Sequence, residues 1–79
     1  MSRYVCKVSA VPYYAGARTG TRTVEAICAR DAAKLAFRGW HGGAVAVAVN
    51  PGSDREWCMQ VGGRPEGWVT VELVSEGKR

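Results

Sequence analysis

Alternating apolar and polar positions predict that most of this chain is strand. Residues 3–11 alternate in this way, and one face should be buried against the rest of the protein. The residues of that face are Tyr4, Cys6, Val8 and Ala10. A second strand is predicted over residues 21–27, where threonine and β-branched residues cluster and Val24 and Ala26 should point inward.

Residues 30–40, with the sequence RDAAKLAFRGW, break this pattern and predict the chain's helix. The helix should begin near Ala29 and end at the glycines Gly39, Gly42 and Gly43. At 100° per residue one broad face is apolar. Its members are Ala29, Ala32, Ala33, Leu35, Ala36, Phe37 and Trp40. The other side carries Arg30, Lys34 and Arg38, four residues apart, with Asp31 beside them. These charges fit either an ordinary solvated face or a stripe that binds an anionic or mixed partner.

Residues 44–49, AVAVAV, predict the clearest strand. We expect its valine face to meet the helix and its alanine face to form a thin apolar outer surface. The valines are Val45, Val47 and Val49, and the alanines are Ala44, Ala46 and Ala48. The alanine face suits a central strand between larger neighbours, or a surface through which copies of the chain associate.

Two further strands are predicted over residues 56–61 and 68–74, each preceded by a turn. The first turn places Pro51 and Gly52 in the central positions of a type II turn, and the second spans residues 62–67. The order β-β-α-β-β-β predicts an α+β fold, a single five-stranded antiparallel sheet with one helix packed on one face. Residues 1–79 should form one domain with a frayed tail at 75–79.

Composition and charge narrow the function. The chain has 79 residues, 47% of them hydrophobic, and a net charge of +4. Residues 1–40 contain seven basic and two acidic residues, whereas 41–79 contain four basic and five acidic ones. A basic half favours nucleic acid or an acidic protein surface as the partner. The start, MSRYVCKVSA, does not fit a signal peptide, and no apolar run is long enough to cross a membrane, so we expect a cytoplasmic protein.

No set of residues predicts catalysis or a cofactor. The cysteines Cys6, Cys28 and Cys58 are odd in number and far apart, and His41 is the chain's one histidine. This pattern lacks the paired spacing of a zinc site and predicts reduced thiols without a metal. His41 has no carboxylate at a fixed spacing and the glycine pairs form no phosphate loop, so we expect no enzyme.

Binding is the function that remains. Basic residues interleaved with aromatic residues are the candidate contacts with a partner. One group follows the helix and the other lies in and beside a glycine-rich loop. The candidate residues are Arg30, Lys34, Arg38 and His41 in the first group, and Tyr13, Tyr14, Arg18 and Arg22 in the second. Such residues bind single-stranded nucleic acid, because its bases stack on aromatic side chains and its phosphates pair with basic ones. They also make hot spots in protein interfaces, and the sequence does not separate these two functions.

Residues 20–73 resemble small phage-encoded anti-CRISPR proteins that inhibit type I Cascade complexes. The nearest resemblance is to the ninth family of type I-F inhibitors and its type I-C analogues. The segments that carry it are GTRTVEA, RDAAKLA with Arg38 after it, WHGGAV and GWVTVEL. The chain differs from that pattern in its long loop at 13–20 and in the turn at 51–55.

The resemblance implies a five-stranded antiparallel sheet with one helix. It also implies a monomer in the cytoplasm of a bacterial host. Such a protein binds the guide-RNA backbone subunits of a type I-C or I-F Cascade without a cofactor, and blocks pairing with target DNA. The matching positions point to Lys34, Arg38 and His41 as contacts, whereas Arg30 depends on its helical spacing alone. Non-specific contact with double-stranded DNA is a further implied property.

Two other hypotheses follow from the residues themselves. A free-standing nucleic-acid-binding domain would account for the basic residues, and its affinity would fall with salt. A self-associating protein would use the face of Ala44, Ala46 and Ala48.

Overall fold

The computed structural model of the chain describes residues 1–10, 20–37 and 44–75, with the backbone alone for Ala10 and Ser75. The elements follow the predicted order β-β-α-β-β-β. They are β1 (Ser2–Ala10), β2 (Gly20–Ala26), α1 (Ala29–Phe37), β3 (Val45–Ala48), β4 (Glu56–Val61) and β5 (Arg64–Ser75). The predicted helix start is confirmed, because the Cys28 carbonyl accepts a hydrogen bond from the Ala32 amide at 3.0 Å.

The five strands form one antiparallel sheet in the order β2-β1-β5-β4-β3. The first and last strands of the chain therefore lie side by side in the middle, and β2 and β3 are the two edges. This confirms the α+β prediction and adds the strand order, which the sequence left open.

The helix covers one face of the sheet, here called the covered face, and the other is the open face. The buried side of the helix is mostly alanine, which lets the helix lie close to the strands beneath it. The Cys6 thiol donates to the Ala32 carbonyl at 3.7 Å. The buried apolar residues are Tyr4, Cys6, Val8, Ala26, Ala29, Ala32, Ala33, Ala36, Phe37, Ala46, Trp57, Met59, Val69 and Val71. The predicted buried faces of the first two strands are confirmed, except at Ala10, whose side chain lies outside the described part.

The prediction for β3 was wrong, because its valines lie on the open face. Val45 and Val47 are 58% and 40% exposed, whereas Ala46 is 4% exposed on the covered face. The cause lies in the neighbouring strand. Ala46 pairs with Met59 and Ala48 pairs with Trp57, and residues directly opposite each other share a face of a sheet. The two large side chains fill the layer under the helix, which leaves room there only for methyl groups.

Two related predictions fail with it. Self-association through the alanine face is wrong, because Ala46 is buried and Ala44 and Ala48 pack against the core. Leu35, predicted on the buried side of the helix, is 41% exposed. It lies about 130° around the helix from the centre of the buried side, close to Asp31, so the apolar arc is narrower than the sequence suggested.

The turns also differ from the prediction. Val61 pairs with Arg64, so Gly62 and Gly63 alone connect β4 to β5. Their φ angles are 62° and 82°, as a type I′ hairpin turn requires of both central residues. Strand β5 therefore starts four residues earlier than predicted.

The earlier turn keeps its predicted position, since the Ser53 amide donates to the Asn50 carbonyl at 2.9 Å. However, the φ angle of Gly52 is not positive, so the turn is not type II. Within the described residues no helix has the length and apolar character needed to cross a membrane.

Candidate partner-binding surface

Two of the predicted helix residues lie on one exposed side of α1. Arg30 and Lys34 are both exposed and are one helical turn apart. The third member of the predicted stripe, Arg38, follows the last described helical residue, Phe37. The structure thus brings together two of the positive charges that the sequence placed on this helix.

Arg30 is held in place by an aromatic ring. Its guanidinium carbon lies 5.6 Å from the centroid of the Trp57 ring, within the range of a cation–π interaction. Trp57 is itself fixed, because it is 6% exposed and its indole Nε1 donates to the Asp54 carbonyl at 2.8 Å. No local sequence pattern predicts this contact, because Trp57 lies 27 residues after Arg30. Arg30 is therefore a preorganised charge at the helix start.

Lys34 lies in a different setting, a groove between the helix and β2. The groove has a volume of about 330 Å³. Its lining includes two carboxylates, Glu25 and Asp31, and three exposed apolar side chains. The apolar residues are Met1 at 71%, Ile27 at 70% and Leu35 at 41% exposure. We call these three residues with Lys34 the helix-edge patch. Lys34 is the one charged side chain of the patch, and the two carboxylates lie beside it in the groove, so this surface is not a uniform positive stripe.

Arg22 is less available than predicted. It pairs with Cys6 across β1 and β2 and is half-buried on the covered face. Burial raises the pKa of the Cys6 thiol above its ordinary value of 9.0, and the nearby Arg22 charge lowers that pKa by a smaller amount. Arg22 therefore influences the buried Cys6 thiol and is only partly exposed for contact with a partner.

Five predicted contact residues lie outside the described parts of the chain. They are Tyr13, Tyr14, Arg18, Arg38 and His41. Their placement stays a prediction from the sequence.

The open face contains an apolar region whose valines were predicted to face the helix. Val45, Val47 and Val49 are 58%, 40% and 49% exposed, and Trp68 is 43% exposed. The register connects them, because Val47 pairs with Cys58 and Cys58 pairs with Trp68. We call these four exposed residues the open-face patch. Strand alternation could not reveal it, since both faces of β3 are apolar.

The open face also carries polar and charged side chains. Arg3 donates to Glu25 at 3.1 Å, and Lys7, Thr70 and Glu72 are exposed. The sequence did not predict a buried charge at Glu66, because residues 62–67 were predicted to form a turn. Glu66 lies in β5, is 7% exposed, and its Oε1 has no hydrogen-bond partner among the described residues.

Within the described ranges, no group of three or more His, Cys, Asp or Glu residues could hold a metal ion. A second groove, of about 390 Å³, lies near the helix start and is lined by Tyr4, Ala29 and Arg55 among others. Asp54 and Glu72 also line it, so this groove too combines apolar surface with both signs of charge.

No protein-family model, curated protein or solved structure matches this chain.

Proposed function

We propose that this protein acts by binding a protein assembly, and that the assembly is a type I Cascade whose pairing with target DNA it blocks. The binding surface in this proposal is the helix-edge patch, with Arg30 beside it. The residues Arg38 and His41, which follow the helix in the sequence, are assigned to the same interface by the resemblance to type I-F and I-C inhibitors.

The observation that carries the proposal is the composition of the helix-edge patch. A surface built for nucleic acid presents positive charge with stacking aromatics. Here Lys34 shares its groove with Glu25 and Asp31 and borders the exposed Ile27 and Leu35. Apolar side chains surrounded by charges of both signs are typical of a protein interface. The surface therefore favours a protein partner over a bare nucleic acid.

The fold supports the choice of partner. The resemblance implies a five-stranded antiparallel sheet with one helix, and the chain has this architecture. The net charge of +4 agrees with a protein that acts beside guide RNA and DNA, since positive charge steers it toward them.

A gel shift tests the proposal. Guide-loaded type I-F and type I-C Cascades receive matched target DNA with and without the protein, and we expect DNA binding to be lost in one of the two systems. Lys34→Glu and Leu35→Glu should each restore DNA binding, because the loss of a hot-spot contact weakens association by about 30-fold or more.

Lys7→Glu is the matched control, because it makes the same charge change at an exposed position on the open face. It should inhibit as the unmodified protein does. The surface assignment is wrong if Lys7→Glu restores DNA binding and Lys34→Glu does not. The function itself is wrong if neither Cascade is affected.

A free-standing nucleic-acid-binding domain is the second candidate, favoured by the net charge of +4 and the exposed Arg30 and Lys34. It predicts that the protein alone binds DNA or RNA. With three or four phosphate contacts, the logarithm of the affinity should fall against the logarithm of salt with a slope of about −3. A slope near zero would exclude this function without affecting the first.

A further inference from the structure

The two edges of the sheet are built differently. Edge strand β2 has the sequence GTRTVEA, with Arg22 and Glu25 among its seven residues. Edge strand β3 has the sequence VAVA, and residues 44–53 contain no charge at all. Charged side chains on an edge strand discourage pairing with another chain. Strand β3 has no such charges, so only its short length opposes pairing at this edge.

Within the described residues, the backbone of β3 has no strand partner on the side away from β4. The Val49 amide donates to the Glu56 carbonyl at 3.1 Å, so the peptide groups of Val45 and Val47, which alternate with it, are also directed toward β4. The groups of Ala46 and Ala48 therefore point outward.

The sequence around β3 is complementary to a copy of itself. Residues 45–49 read VAVAV in both directions. An antiparallel pair centred on Val47 places Val45 opposite Val49 and Val47 opposite Val47 of the second copy. All of these valines lie on the open face. The same register places Ala46 opposite Ala48, so the outward-pointing peptide groups exchange hydrogen bonds.

We propose that β3 pairs antiparallel with β3 of a second copy of this chain, which joins two five-stranded sheets into one. The pairing is isologous, so the same residues serve on both copies. The paired strands themselves carry no charge, although each copy has a net charge of +4. Cross-strand valine pairs stabilise the contact, and the open-face patches of the two copies become neighbours.

The contact is small, and we therefore expect weak association. Interfaces that bury less than about 1,200 Å² in total are typical of transient complexes. The measurement is sedimentation equilibrium of the whole chain from about 10 μM to about 1 mM, which spans the dissociation constants of such interfaces. The weight-average mass should rise with concentration from 8.5 kDa toward twice that value. A mass that stays at the monomer value throughout would overturn the proposal.

Val47→Lys should abolish the rise in mass, because it places two positive charges opposite each other at the centre of the pair. The position is 40% exposed, so the fold should tolerate the substitution. Thr23→Lys is the control, an exposed position on the other edge strand with the same face. Edge pairing would be contradicted if Val47→Lys associated as the unmodified chain does. It would also be contradicted if Thr23→Lys lost association to the same extent as Val47→Lys.

Two further variants define the geometry. Trp68→Lys changes the open-face patch on β5, away from the edge. If it abolished association as fully as Val47→Lys does, the copies would be stacking by their open faces and edge pairing would be wrong. In a Cys28→Ala, Cys58→Ala background, Val47→Cys should form a disulfide-linked dimer under mild oxidation. The facing Cα atoms of such a pair are about 4.5 Å apart, within the range for a disulfide. Thr23→Cys in the same background should stay monomeric.

Discussion

The two faces of this sheet use similar residues for different purposes. On the covered face, alanines of the strands and of the helix are buried between the sheet and the helix. A few large side chains such as Phe37 and Met59, both 0% exposed, fill the remaining space. On the open face valines and Trp68 are 40–58% exposed. Hydrophobic character therefore does not tell which face is buried. What decides is whether the volumes of facing side chains match, because an interior is packed without voids.

The largest expected difference between the faces is at Gly67, where the covered face leaves no room for a methyl group. A Cβ added there would lie 2.5 Å from the Phe37 ring and 2.5 Å from the Ser9 carbonyl oxygen. Since the carbonyl belongs to the neighbouring strand, the backbone itself would have to move. We expect Gly67→Ala to lower the free energy of unfolding by about 3 kcal/mol or more, measured by urea denaturation.

Gly52→Ala is the matched control for that experiment. The nearest atom to its added methyl group is 3.9 Å away and its φ is not positive, so the free energy of unfolding should change by less than about 0.5 kcal/mol. Equal effects at the two glycines would mean that the close contact among Gly67, Phe37 and Ser9 does not limit the packing.

A smaller difference should appear when residues are exchanged between the two faces of β3. Ala46→Val adds two methyl groups under the helix, where Met59 is directly opposite, and should cost about 1–3 kcal/mol from overpacking. Val47→Ala removes the same groups from an exposed position and should cost less than about 1 kcal/mol. Thermal or urea unfolding of the two variants measures both values. The reverse order of destabilisation would show that the valines, not the alanines, carry the packing of this strand.

The sequence predicted the fold where one face of an element was clearly polar. In β1 and β2 the alternation of Cys6 with Lys7, or of Val24 with Glu25, leaves one choice of buried face. In β3 both faces are apolar, so the orientation depends on the register with Met59 and Trp57, which no local pattern contains. The two-residue turn was missed because Gly62 and Gly63 already complete it, without the residues that follow.

The candidate surface was predictable only in part, for a similar reason. Helical spacing correctly placed Arg30 and Lys34 on an exposed side of α1. It could not show that Arg30 stacks on Trp57 or that Lys34 shares a groove with Glu25, because these contacts join residues that are far apart in the sequence. Long-range contacts thus changed a predicted positive stripe into a surface of mixed charge.

The smallest expected effect is a pH dependence that arises on the covered face. Burial raises the pKa of the Cys6 thiol above its ordinary value of 9.0, and its neutral form donates to the Ala32 carbonyl. Below the ordinary pKa both the folded and the unfolded chain hold this proton. As the pH rises above it the unfolded chain loses the proton first, so the free energy of unfolding should fall until the pH passes the folded pKa.

Urea unfolding at pH 7.5 and at several values between pH 9 and 10 measures this slope against two variants. Cys6→Ala should remove the part of the slope that Cys6 contributes, whereas Cys58→Ala, on the open face, should keep it. The difference between the variants matters more than either slope alone, because lysine and tyrosine side chains also titrate near pH 10. Identical slopes in the two variants would mean that the thiol under the helix exchanges its proton as freely in the folded chain as in the unfolded one. The close packing of the covered face would then not extend to Cys6.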